Sequence, residues 1–173
     1  MHKTYFELFG LPALFAIDIA RLDQAYLHLQ SEVHPDRFAA ASDSERSRSL
    51  QWATHANEAY QTLKNPLARA RYLLQLHGVD TQEESNTAMP ADFLMRQMEW
   101  REAIEDAVAA TDVEALEALN RGLRNEARSL QAELSVALDE RSDDAGASEI
   151  VRKLRFLDKV QTEIDQAIET LEP

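Results

Sequence analysis

Residues 27–42 read LHLQSEVHPDRFAAAS. The first half alternates apolar and polar side chains at helical intervals, and the second half opens on His34, Pro35 and Asp36. Proline disfavours helical geometry in the residue before it, so the helix is expected to stop at His34. Upstream, Leu22, Tyr26, Leu29 and Val33 follow one another at steps of four, three and four, which is an amphipathic helix that Asp18 can cap. Downstream, Ser42 and Glu45 have the spacing of a capping box, and Leu50, Ala53, Ala56, Tyr60 and Leu63 mark a second long helix. His34-Pro35-Asp36 therefore falls at the tip between two helices expected to run antiparallel.

Shorter elements flank this pair. TYFELFG at 4–10 reads as a brief helix stopped by Gly10. Asn65 and Pro66 form an N-cap followed by proline at the first helical position, opening PLARARYLLQLHG, which Gly78 closes. Residues 79–90, VDTQEESNTAMP, are polar and turn-rich and read as part of a linker over 78–90. Three further helices follow. The first covers about 91–110. The second starts at the capping-box pair Thr111 and Glu114 and runs to about 140, with Leu116, Leu119, Leu123, Ala127, Leu130, Leu134 and Leu138 near heptad spacing. After the loop RSDDAGAS at 141–148, the third carries Ile150, Leu154, Leu157, Ile164 and Ile168. The expected fold is all-α: a helical hairpin module over 1–77 and an antiparallel three-helix bundle over 91–173.

Composition agrees with this. Gly and Pro total nine in 173 residues, too few for a turn-rich β fold. Apolar residues reach 45%, enough for a core. The absence of cysteine rules out disulfides and thiolate ligation of zinc or iron–sulfur clusters by this chain. No apolar run approaches the roughly 18 residues of a membrane span, and the N-terminus lacks the pattern of a signal peptide, so a cytoplasmic protein with no membrane partner is expected. The net charge of −13 sits wholly in the second half: residues 1–77 hold eight Lys/Arg and eight Asp/Glu, whereas 78–173 hold ten and 23. Such a chain repels phosphate backbones, so nucleic acid is not an expected partner.

His34 beside Asp36 could in principle do acid–base chemistry or, with a metal, hydrolysis. The remaining histidines, His2, His28, His55 and His77, complete no metal-ligand motif, and no Gly-rich phosphate loop or nucleophile elbow is present. HPDRF at 34–38 followed by ANEAYQTLKNPLARARYLLQLHG at 56–78 instead resembles a J-domain. With YFELFGLP at 5–12, FLMRQMEWREAI at 93–104 and VRKLRFLDK at 151–159, nearly the whole chain resembles the HscB-type co-chaperones of iron–sulfur cluster assembly. The resemblance implies no catalysis, no cofactor and no metal of its own. It implies a J-domain that accelerates ATP hydrolysis by a heat-shock-70-class chaperone, typically HscA, through His34, Pro35, Asp36 and Arg37, with Arg21 and His28 on the preceding helix. It also implies a bundle that holds the scaffold protein IscU. A J-protein with another client is the alternative. Asp23 and Glu32 oppose Arg21 and the weak base His28 on that helix, which makes its basic face thinner than the family's usual one.

The bundle's first helix can be read for a second face. At about 100° per residue, Phe93, Trp100, Ile104 and Ala107 point within about 40° of one direction, the expected core. Leu94, Met95 and Met98 cluster on the other side with Glu102 and Glu105, an apolar stripe left for solvent or a partner, and methionines there adapt their shape readily. On the last helix Phe156 lies about 110° off the core stripe. The resemblance implies that Leu94, Met95, Met98 and Phe156, with Glu99, Glu102 and Glu105, form the scaffold-binding patch. Arg152, Lys153, Arg155 and Lys159 make the last helix locally basic, either to complement the acidic first bundle helix or to contact the scaffold.

Overall fold

The computed structural model describes residues 3–33, 42–83 and 89–171. His34, Pro35, Asp36 and Arg37 lie outside the described residues. The chain divides into two compact units, Met1–His77 and Gly78–Pro173. All regular elements among the described residues are helical.

The first unit holds α1 (Tyr5–Leu8), α2 (Ile19–Val33), α3 (Asp43–Lys64) and α4 (Pro66–Leu76). Each start is fixed by a side chain. Thr4 and Ser42 form capping boxes with Glu7 and Glu45, Asp18 Oδ1 accepts the Arg21 amide at 3.1 Å, and Asn65 caps α4 ahead of Pro66. Gly10 and Gly78, at φ +61 and +78, take the left-handed turns that end α1 and α4. Helices α2 and α3 run antiparallel: Asp23 meets Tyr60 and Lys64, while Tyr26 meets Tyr60 and Asn57. Leu22, Ala56, Ala59 and Leu63 are buried between them, and Phe6, Phe15, Leu73 and Leu74 complete the core. Leu50 does not belong to it. It is 60% exposed, and Ser49 is buried in its place. The inward register of α3 is 49, 56, 59 and 63, so Leu50 is rotated outward by one residue's 100°. Trp52 faces solvent on the same helix, edge-on to His55 at 6.0 Å.

The Lys64 ammonium lies 2.6 Å from Asp23, and the Tyr60 hydroxyl donates to the same carboxylate at 3.1 Å. The bond from Lys64 holds the Asp23 carboxyl below its ordinary pKa, and the bond to Asp23 raises that of Lys64. A lowered folded-state pKa stabilises the fold above the unfolded carboxyl range and stops doing so as the pH falls through the folded value. Asp23→Asn is therefore expected to lower the stability of the first unit at pH 7 and to flatten its acid sensitivity below about pH 4, as read from thermal unfolding across that range.

The second unit holds α5 (Ala91–Ala109), α6 (Val113–Ser135, continued by a π-turn over Val136–Glu140) and α7 (Asp144–Leu171). Leu116, Leu123, Leu130, Leu134 and Leu138 are buried as their heptad spacing predicts, facing Val151, Leu154, Leu157 and Ile164 of α7. Buried Asn120 donates to Asp165 at 2.7 Å across α6 and α7. Two sequence expectations fail here. Thr111 does not cap α6. It sits at φ +54 and closes α5, its amide bonded to Val108 and that of Asp112 to Ala107. Asp112 is the N-cap, accepting from the Ala115 amide at 2.9 Å. Likewise α7 begins inside the stretch read as a loop, because the Asp143 carboxylate accepts the Gly146 amide at 2.9 Å and so caps the helix early. A β-branched residue in left-handed backbone is strained. Thr111→Gly is expected to stabilise the bundle by about 0.5–1 kcal/mol in denaturant unfolding, the relief of strain outweighing the added freedom of the unfolded chain.

Candidate partner-binding surfaces

On the first unit, Arg21 and His28 are seven residues apart on α2, both exposed. Arg21 Nη2 approaches the Gly10 carbonyl at 3.5 Å, and His28 Nε2 stands 3.5 Å from Glu32. Asp23 does not oppose them as the sequence implied, because Lys64 and Tyr60 occupy its carboxylate on the α3 side. Leu27 is 63% exposed beside His28, an apolar position that helical spacing did not single out.

On the second unit, α5 has two distinct faces. Phe93 and Ala107 are buried, whereas Trp100 and Ile104 are only half-buried. Leu94, Met95 and Met98 are exposed, at 44%, 64% and 72%, and Glu99, Glu102 and Glu105 are exposed around them. Positions 95, 98, 102 and 105 form one continuous stripe, and 94 joins 98 across one turn. Phe156 is half-buried rather than fully displayed. It meets Phe93 edge-on at 5.8 Å and stacks on Trp100 at 6.2 Å, which fixes its ring between α5 and α7. The Arg96 guanidinium covers Trp100 at 5.1 Å and forks onto Glu126 of α6 at 2.7 and 2.9 Å, a bond that raises the Arg96 pKa. The helical wheel gave no sign of this brace, because its partners come from three helices.

Phe156 and Leu94 share a shallow cleft of about 210 Å³ with Gln97 of α5 and Arg152, Arg155 and Lys159 of α7. Glu83 and Met89 complete its lining. Lys153 pairs with Glu149 at 2.9 Å and lies over the Phe93 ring, and Arg152 donates to the Thr81 carbonyl at 3.1 Å. Among the described residues, no group of three or more His, Asp or Glu is placed to hold a metal ion, and no helix is long and apolar enough to cross a membrane.

The chain combines an antiparallel helical hairpin with short flanking helices and a three-helix bundle that leaves an apolar stripe exposed on α5. Comparison with known proteins gives its family. Residues 89–165 match the family described as the HSCB C-terminal oligomerisation domain. The co-chaperone protein HscB homolog of Chromobacterium violaceum is 61% identical over 170 residues, which cover 98% of this chain and 96% of that one. The homolog of Burkholderia mallei is 57% identical over 172 residues, 99% and 98% of the two chains. Chaperone HscB from Vibrio cholerae superposes with a TM-score of 0.84 at 39% identity, over 98% of this chain and 99% of its own. The chain belongs to the HscB co-chaperone family.

Proposed function

We propose that this co-chaperone stimulates an HscA-type heat-shock-70 chaperone through its first unit and delivers an IscU-type scaffold to it with its bundle. Residues 78–90 join the two functions in one chain. The chain carries no chemistry of its own. It stabilises the hydrolysis-competent state of another protein's active site, which requires only that it bind that state better than the alternatives. Asp36 supplies a carboxylate for a charge-assisted bond to a chaperone arginine, His34 supplies hydrogen-bonding nitrogens, and Pro35 restricts the backbone that aims both. Arg21 and Arg37 add positive charge to the same surface, and His28 adds hydrogen-bonding ring nitrogens.

The observation that carries the scaffold half is the exposed stripe of Leu94, Met95 and Met98 beside Phe156, flanked by Glu99, Glu102 and Glu105. A half-buried, braced aromatic ring next to flexible apolar side chains is what an interface hot spot needs: one rigid anchor and a surface that adapts to its partner. Calorimetric titration of an IscU-type scaffold into the intact chain tests it. A saturable one-to-one complex with a negative heat-capacity change, the mark of buried apolar surface, is expected. Absence of heat and of co-elution would overturn the assignment of the bundle.

A further inference from the structure

We propose that Met95 and Met98 make client binding sensitive to oxidation: hydrogen peroxide converts their thioethers to sulfoxides and so weakens the hold of the bundle on the scaffold. This rests on the scaffold-binding reading and adds a reversible modification of the same surface. The chain has four methionines and no cysteine, so thioethers are its only sulfur groups. Among the described residues, Met89 is half-buried, whereas Met95 and Met98 are 64% and 72% exposed, the most exposed large apolar side chains of the second unit. They stand three residues apart on α5 and are neighbours on one helix face. A peroxide must reach the sulfur lone pair, so exposure decides which thioether reacts first.

The reaction needs no group from the fold. A sulfur lone pair attacks one oxygen of hydrogen peroxide, the S–O bond forms as the O–O bond breaks, and the departing hydroxide takes the remaining peroxide proton to leave water. Sulfur loses two electrons and the peroxide gains two. A flexible apolar side chain becomes a polar, chiral one. In the free bundle both side chains stand in solvent, so the added oxygens are hydrated and the core around Phe93, Leu123 and Leu154 is untouched. Beneath a partner each oxygen loses that water, and an acceptor buried without a donor costs binding energy that the thioether did not. Methionine sulfoxide reductases, with a dithiol as reductant, release the oxygen as water and restore the thioether. The modification therefore acts on the complex and not on the fold.

The test treats the full chain with hydrogen peroxide, removes the peroxide, maps the sulfoxides by peptide mass spectrometry and titrates an IscU-type scaffold into the product by calorimetry. Met95 and Met98 are expected to oxidise faster than Met89 with helicity unchanged, and scaffold affinity is expected to fall at least about tenfold. Treatment with reductases for both sulfoxide epimers is expected to recover it. A chain carrying Met95→Leu and Met98→Leu is expected to show one affinity before and after peroxide, since leucine offers an apolar surface without a sulfur. Full affinity in a wild type whose Met95 and Met98 are both oxidised would overturn this inference and leave the scaffold site standing. A loss that persists in the leucine variant would overturn it too, because the sensitive group then lies elsewhere. An untreated wild type that binds no scaffold would overturn the scaffold-binding reading and this inference with it.

Discussion

The Asp36→Ala chain is expected to fold with wild-type helicity and to lose its stimulation of an HscA-type ATPase at least tenfold. The reason is the asymmetry of charge pairs at an interface. Removing one member leaves the partner's charge desolvated and unpaired, which costs about 2–5 kcal/mol of complex stability. The core of the first unit is built from Phe6, Leu22, Leu63, Leu73 and Leu74 and its hairpin is tied by Asp23 and Lys64, so folding is expected not to depend on Asp36. Steady-state ATP hydrolysis alongside circular dichroism separates the two effects. A variant that stimulates normally would remove Asp36 from the contact, and one that unfolds would make it a structural residue.

The second large effect concerns the bundle. Replacing Leu94, Met95 and Phe156 together by alanine is expected to weaken scaffold binding at least about a hundredfold, since anchors of this kind cost about 1–2 kcal/mol or more each. The three are not equivalent. Leu94 and Met95 are 44% and 64% exposed, so their truncation changes little in the folded bundle. Phe156 touches Phe93 and Trp100, and its loss also costs stability. The pair Leu94→Ala and Met95→Ala therefore isolates the interface: it is expected to weaken binding at unchanged unfolding temperature. Unaltered affinity in that pair would place the scaffold elsewhere.

Most of the fold was legible because local and global signals agree. Caps at Asp18, Ser42 and Asn65, stops at Gly10 and Gly78, and the heptad-spaced leucines of α6 are all short-range features, and the structure keeps them, with Leu119 alone of those leucines only half-buried. The misreadings arise where two local rules compete. Thr111 satisfies the spacing of a capping box, but α5 takes it for its own C-terminal turn and Asp112 caps α6 instead. Leu50 fits a generic stripe, but Ser49 holds the inward register. The exposed stripe of α5 could be found on a helical wheel, since it depends on one helix alone. The aromatic brace of Phe93, Trp100 and Phe156 could not, because it depends on how separate helices meet.

The central claim is that one chain couples a chaperone to its client. The most direct measurement is steady-state ATP hydrolysis by an HscA-type chaperone, with and without this protein and with and without an IscU-type scaffold. The account predicts stimulation by the protein alone and a greater-than-additive rate when scaffold is present, lost on truncating Asp36 and reduced to the scaffold-independent level on truncating Leu94 and Met95. Stimulation that ignores the scaffold at every concentration would contradict the coupling.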